Sequence, residues 1–159
     1  MKDATPVQRG LMARGALLFL LSLLTGVWVG AVMTDGRAIF MKLAFTPSAQ
    51  KLALVAHMNA LIGSLWLVAV AATLEATRLS EKGKLWLARA VTAIGYSNWI
   101  VTLIASFADR KGLEMVEGDA KNNAVALLLI VLVVVPGLGA AAVWAWSLLT
   151  AKLDGGPPA

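Results

Sequence analysis

Four long apolar runs dominate this chain and restrict what it can fold into. They cover residues 11–33, 52–74, 85–107 and 124–149. Each run exceeds the roughly 20 residues that a helix needs to cross a hydrocarbon core about 30 Å thick. A helix satisfies its own backbone hydrogen bonds, as lipid requires. The sequence therefore predicts an all-α integral membrane protein, a four-helix bundle that forms one domain over residues 1–159.

The composition and the connections agree with a membrane protein. Hydrophobic residues make up 59% of the chain and charged residues 14%, a balance far from that of a soluble domain. The polar connections are short, at residues 34–51, 75–84 and 108–123, and the Gly- and Pro-containing tail 154–159 is predicted to be disordered. Since no extramembrane domain is predicted, any ligand would be met within or beside the bilayer.

The basic residues predict the orientation in the membrane. One side of the predicted bundle carries Lys2, Arg9, Arg14, Arg78, Lys82, Lys84, Arg89 and Lys152, and the other carries Arg37, Lys42, Lys51, Arg110, Lys111 and Lys121. Cytoplasmic ends of spans are enriched in Lys and Arg, so both termini are expected in the cytoplasm, in a bacterial-type inner membrane. The net charge of +5 is spread along the membrane boundaries, which favours anionic lipid over nucleic acid as a partner.

The second apolar run contains the only histidine of the chain, His57, and there is no cysteine. An ionisable side chain at this depth is costly and is a candidate functional group by default. Without cysteine, disulfides, thiolate metal sites, iron–sulfur clusters and covalently attached haem are excluded. One imidazole per chain suffices for a haem with one axial ligand, but not for a three-histidine zinc site.

Polar and small residues cluster on the second and third predicted helices. Gly63 and Ser64 would let a bulky group approach the second helix, while Asn98, Thr102 and Tyr96 contribute to a polar and aromatic surface on the third. If Lys51 and Asp109 mark one water interface, His57 lies about 9 Å below it and Asn98 about 16 Å. At those depths the two side chains would reach opposite edges of one macrocycle.

Simpler interpretations remain open at this point. His57 would serve only as a contact between helices, and Asn59, Asn98 and Thr102 only as interhelical hydrogen-bonding groups. Pro136, inside the fourth run, predicts a kink.

The residues also resemble a known family. The similarity is carried by Ala56-His57 before a helix of small residues, by the charged turn 79–84, and by the segment 95–99, which reads Gly-Tyr-Ser-Asn-Trp. These features resemble the styrene oxide isomerases and the related hydroxylaminobenzene mutases, both small four-helix membrane proteins.

This resemblance implies a cofactor and a reaction. It implies a homotrimer with ferric haem b between subunits, His57 as the axial haem ligand, and Meinwald-type rearrangement of a small hydrophobic aromatic epoxide to a carbonyl compound without net redox change. Asn98, with Tyr96, Thr102 or Asn59, would orient the substrate, and Lys51, Arg110 and Lys111 would face the haem propionates. One alternative is rearrangement of an aryl hydroxylamine to an aminophenol. Another is a haem protein for electron transfer or sensing, with Met58, Met115 or a partner chain providing the second ligand. A third is a structural subunit without cofactor.

The chain departs from the family pattern at three positions. Gly63 stands where an asparagine is expected, Thr102 where the epoxide isomerases carry a tyrosine, and Ile94 where an acid is expected. Asn59, Tyr96 or Thr102 would then replace the usual substrate-orienting groups.

Overall fold

The computed structural model confirms an all-α membrane bundle of four long helices. It describes residues 4–37, 45–108, 110, 112 and 114–153. The helices are α1 (Pro6–Met33), α2 (Pro47–Thr73), α3 (Glu81–Phe107), α4 (Ala120–Leu129) and α5 (Val135–Leu153). The last two are continuous through a π-helical turn, Ile130–Val134, and together form the fourth span. All four segments are long and apolar enough to cross a membrane.

Polar caps extend the helices beyond the apolar runs. The side chains of Thr5, Thr46, Ser80 and Asp119 each accept a hydrogen bond from a backbone N–H in the first turn of the helix that follows. Such caps satisfy backbone donors that have no partner inside the helix. Asp119, for example, caps α4 at Asn122, so the fourth helix begins at Ala120 and not at residue 124. The predicted tail 154–159 lies outside the described residues.

The structure places a π-helical turn directly before Pro136, where the sequence predicts a kink. Proline has no N–H to donate, and its ring would collide with the carbonyl four residues earlier in a regular α-helix. In the structure the Val135 N–H donates to Ile130, five residues back, just before the proline. A turn widened in this way absorbs the misfit without ending the helix.

Three helices form the tight part of the bundle. α2 packs along both α1 and α3, whereas the fourth helix packs mainly against α3. At the α2–α3 contact, a Cβ added to Gly63 would lie 3.4 Å from Cα of Gly95 and 3.2 Å from Leu18. Glycine at this point lets the two backbones approach, as small residues do in membrane helix packing. The fourth helix stands away from α2, and a cavity opens between them.

Charged groups close one end of the bundle. Nζ of Lys84 lies 2.6 Å from a carboxylate oxygen of Glu75 and 2.9 Å from one of Glu81. Nε2 of Gln8 donates to the Ala71 carbonyl at 3.0 Å, which joins the start of α1 to the end of α2. The charged connection predicted at 75–84 is therefore a compact turn with internal ion pairs.

The outer faces of the helices are apolar. Exposed side chains include Leu20, Leu24 and Val27 on α1, and Val135, Leu138 and Trp146 on the fourth helix. Apolar surface on this scale is not left in contact with water. Lipid is the medium that suits it, and the chain is a multi-pass membrane protein.

Candidate active site

His57 is held by the backbone of α1. Its Nδ1 lies 2.8 Å from the carbonyl oxygen of Ser22. A carbonyl oxygen only accepts hydrogen bonds, so Nδ1 carries the proton and donates. In the neutral ring Nε2 is then unprotonated and has a free lone pair. This arrangement, with one ring nitrogen donating to a carbonyl and the other available, is the one found in metal-bound histidines.

Ser22 also contacts His57 through its side chain. Its hydroxyl donates to the His57 carbonyl at 3.1 Å and lies 3.3 Å from Nδ1. Ser22 is completely buried, and His57 is half-buried. The two residues thus form a reciprocal pair that fixes α1 against α2 and sets the direction of the imidazole.

Gly26 gives the imidazole its space. A Cβ built on Gly26 would lie 3.4 Å from Cε1 of His57 and 3.5 Å from Nδ1. A methyl group would fit at ordinary contact distance, but a branched side chain would press on the ring. Ser22 and Gly26 were not singled out from the sequence. A signal for Ser22 exists, since it interrupts the apolar run Leu17–Leu24 with a hydroxyl.

A second polar cluster lies between α2 and α3. Nδ2 of Asn59 donates to Oδ1 of Asn98 at 3.0 Å and lies 3.4 Å from Oγ1 of Thr102. The Thr102 hydroxyl donates to the Asn98 carbonyl at 2.7 Å. Three of the four side chains predicted to orient a substrate are therefore in direct contact. We refer to Asn59, Asn98 and Thr102 as the amide cluster.

The amide cluster faces a cavity of about 460 Å³. Its walls come from α2, α3, the fourth helix and the connection before that helix. The other lining residues are Lys51, Leu52, Val55, Gly112, Glu114, Leu129, Val133 and Val134. Val133 and Val134 belong to the π-helical turn, which therefore contributes directly to the cavity wall. The cavity has the size and the mostly apolar walls of a small-molecule site, with a few polar groups that converge in it.

His57 is not part of this cavity. It contacts α1, whereas Asn59, two residues further along α2, contacts α3. Two residues correspond to about 200° around a helix, so the two side chains leave α2 on nearly opposite sides. The exposed residues Leu54, Met58 and Ile62 occupy the surface between them. Within one chain, His57 and Asn98 do not reach across one macrocycle, and that expectation is corrected.

The remaining predicted site residues have other contacts. Tyr96 donates its hydroxyl to the Arg14 carbonyl at 3.0 Å, on the α1 side of α3, away from the amide cluster. Gly63 is used in the contact with Gly95, and the Ser64 hydroxyl donates to the Leu61 carbonyl. Their predicted roles beside a cofactor or a substrate stay predictions. Ile94 is buried in the core, a place where an ionised acid would be costly.

The structure describes two of the three basic residues that are predicted to face haem propionates. Lys51 lines the mouth of the cavity, and Arg110 pairs with Asp119 at 3.3 Å. Lys111 lies outside the described residues. Among the residues that the structure describes, no three His, Asp or Glu side chains converge as a metal site. The role of His57 as a single axial ligand stays a prediction.

Comparison with known proteins gives one result that covers most of the chain. The family model for styrene oxide isomerase matches residues 7–149. Neither the curated proteins nor the solved structures gave a match. The match includes His57 and the amide cluster and covers nearly all of the four spans. This chain belongs to the styrene oxide isomerase family.

Proposed function

We propose that this protein is a haem b-dependent membrane isomerase that converts aryl epoxides to carbonyl compounds. The observation that carries the proposal is the bond from the Nδ1–H of His57 to the Ser22 carbonyl, which leaves Nε2 free. Family membership supports an isomerase. The single histidine and the lack of cysteine suit a haem held by one axial imidazole.

The residues around His57 fit such a cofactor. Gly26 leaves the ring edge uncrowded, and the exposed apolar side chains beside His57, such as Leu54 and Met58, offer a surface for a porphyrin. Ferric haem bound there would supply a Lewis acid for opening the epoxide C–O bond. His57 would hold the iron through Nε2, and the Ser22 carbonyl would keep the imidazole in the required tautomer.

The separation of His57 from the amide cluster favours a site shared between chains. One chain would present His57 at the outer edge of the α1–α2 contact. A neighbouring chain would present its cavity with Asn59, Asn98 and Thr102. Closed rings of identical chains join two different surfaces in this way, and a trimer is the expected ring.

The cavity would govern the reaction through orientation and exclusion of water. The benzylic C–O bond of the epoxide breaks, a hydride moves from the neighbouring carbon, and the carbonyl forms. All atoms and electrons stay in the substrate. Leu129, Val133 and Val134 would keep away water, which would otherwise trap the cation as a diol. Asn98 would donate a hydrogen bond to the oxygen as negative charge develops on it.

Absorbance spectroscopy tests the proposal first. Detergent-purified protein and the His57→Ala variant would be compared, with haem per chain measured as the pyridine haemochrome. We expect a near-stoichiometric Soret band that the substitution abolishes, and conversion of styrene oxide to phenylacetaldehyde by the wild type alone. A wild type that stays colourless after haem is supplied during expression would contradict the proposal and favour a structural subunit. A six-coordinate spectrum with fast reduction and no turnover would favour electron transfer.

One observation favours a second candidate reaction, rearrangement of aryl hydroxylamines. The Oδ1 atom of Asn59 has no hydrogen-bond donor among the described residues. An epoxide has no proton to offer this acceptor, whereas a hydroxylamine carries N–H and O–H donors. Assays of both substrates on the same haem-loaded sample distinguish the two reactions.

We also propose that both termini face the cytoplasm in an inner membrane. The sequence assigns eight of the basic residues to the terminal side of the predicted bundle and six to the other side. Lys84 on the terminal side is neutralised by Glu75 and Glu81, and Arg110 on the opposite side is paired with Asp119. Anionic lipid would be attracted to basic groups at the membrane boundary. Reporter fusions at each end of the chain test this orientation.

A further inference from the structure

The hydrogen bonds within the amide cluster determine which end of the Asn98 amide faces the cavity. A carboxamide presents an acceptor oxygen at one end and a donor NH₂ at the other, and rotation by 180° exchanges them. Asn98 lines the cavity and is half-buried, so either end of its amide could face a ligand. What decides between the two orientations is the group that contacts the other end.

That group is Asn59. Its Nδ2 donates to Oδ1 of Asn98 at 3.0 Å. If the Asn98 amide were reversed, two NH₂ groups would face one another across the α2–α3 contact. The bond therefore holds Oδ1 of Asn98 toward α2 and leaves its Nδ2 for the cavity. No described residue accepts a hydrogen bond from this Nδ2.

Thr102 is not an equivalent donor. Its single hydroxyl proton is used in the 2.7 Å bond to the Asn98 carbonyl. Its oxygen lies 3.4 Å from Nδ2 of Asn59 and supports that group from the other side. Thr102 is buried and helps to hold Asn59 in place. It offers no proton to the cavity, because its hydroxyl proton is already donated to the Asn98 carbonyl.

We infer that Asn59 is a positioning residue that makes Asn98 the hydrogen-bond donor to the substrate oxygen. A donor aimed where negative charge develops lowers the barrier, whereas an amide oxygen in the same place would repel that charge. Asn59 thus determines that the substrate faces the donor NH₂ of Asn98 and not its acceptor oxygen. This inference rests on the proposed function for its kinetic consequence, and on geometry alone for the direction of the amide.

A double-mutant cycle tests the kinetic consequence. We expect Asn98→Leu to lower kcat/KM by about 100-fold, the scale for loss of one such donor, and Asn59→Leu by about tenfold. Styrene oxide has no proton to offer Oδ1 of Asn59, so with this substrate Asn59 should act only through Asn98, and the double variant should match Asn98→Leu alone. The loss should appear mainly in kcat, since the donor meets charge that develops in the transition state. Additive losses would overturn the inference.

Infrared spectroscopy tests the amide direction independently of turnover. Acetophenone is an aryl ketone that accepts but cannot donate a hydrogen bond, and isotope editing separates its C=O band from the protein amide bands. In the wild type we expect this band at lower frequency than for acetophenone in lipid. Asn98→Leu should remove the part of the shift that comes from the amide donor, and Asn59→Leu should weaken that part. An unchanged shift in Asn59→Leu, or no shift in the wild type, would overturn the inference.

A matched control separates positioning from helix packing. Nε1 of Trp99 donates to Oγ1 of Thr25 at 2.9 Å, an α1–α3 hydrogen bond that does not contact the cavity. Thr25→Val removes this bond and should leave both the C=O shift and the split between KM and kcat as in the wild type. If the proposed function itself fails, the haem-loaded wild type shows no turnover of either substrate, while the infrared comparison still reports the direction of the Asn98 amide.

Discussion

At the scale of single residues, the backbone contributes as much to the candidate site as the side chains do. The proton on Nδ1 of His57 is fixed by a carbonyl oxygen, a group that every residue type at position 22 would supply. The free space beside the ring comes from a glycine, which contributes only the absence of a side chain. A motif search does not detect either contribution, because motifs are defined by reactive side chains. Ser22 contributes its backbone carbonyl, and Gly26 contributes only space.

This distinction predicts opposite results for two neighbouring substitutions. Ser22→Ala keeps the carbonyl acceptor, so we expect haem per chain close to the wild-type value and a loss of about 1 kcal/mol of stability for the missing hydroxyl bond. Gly26→Val places a stiff, branched side chain against the imidazole and should lower haem affinity by 10-fold or more. Haem titration of the apoproteins measures both. Equal losses in the two variants would show that the Ser22 hydroxyl, and not the carbonyl, controls His57.

At the scale of the helices, the close approach of α2 and α3 depends on Gly63 and Gly95. We expect Gly63→Leu to destabilise the folded protein by about 1–3 kcal/mol, because its side chain would meet Leu18 and the Gly95 backbone. Gly139→Leu is the matched control, since an added Cβ there meets nothing within 4 Å. Reversible unfolding in mixed micelles would measure the difference. A control as destabilised as Gly63→Leu would mean that helix propensity and lipid contact, rather than the crossing, determine the loss.

The helices also show how far the sequence could predict this molecule. The four spans followed from hydropathy, because lipid forces each apolar run to form a helix. Helical periodicity puts His57 and Asn59 on different faces of α2, but it does not say which helix each face meets. Tyr96 and Asn98 are two residues apart in the same way, and they diverge toward α1 and α2 respectively. Which helix packs against a given face depends on side-chain packing in the whole bundle. The contact between Gly63 and Gly95 is an example, because the spacing of apolar residues does not predict that these two glycines meet.

At the scale of the whole molecule, the decisive property is that His57 and the amide cluster lie on different surfaces of one chain. His57 lies beside α1, and the cavity with Asn98 lies on the far side of α2. In a ring of identical chains, each interface would join the His57 surface of one chain to the cavity of the next. Each chain would then take part in two sites and complete neither alone.

Mixed oligomers of two defective chains test this arrangement. His57→Ala would remove the proposed haem ligand, and Asn98→Leu the proposed donor in the cavity, so each variant alone should have little activity. If sites form between chains, random mixing in equal amounts should restore about a quarter of all sites, where an intact His57 meets an intact Asn98 from its neighbour. In mixed trimers retained on both tags, about one site in three should be complete. If each site lies within one chain, no mixture contains a complete site. The variants should be co-expressed with different affinity tags, and oligomers retained on both tags should be assayed for haem content and turnover. Restored activity would place the catalytic centre at the contact between chains, since neither parent chain can supply both groups.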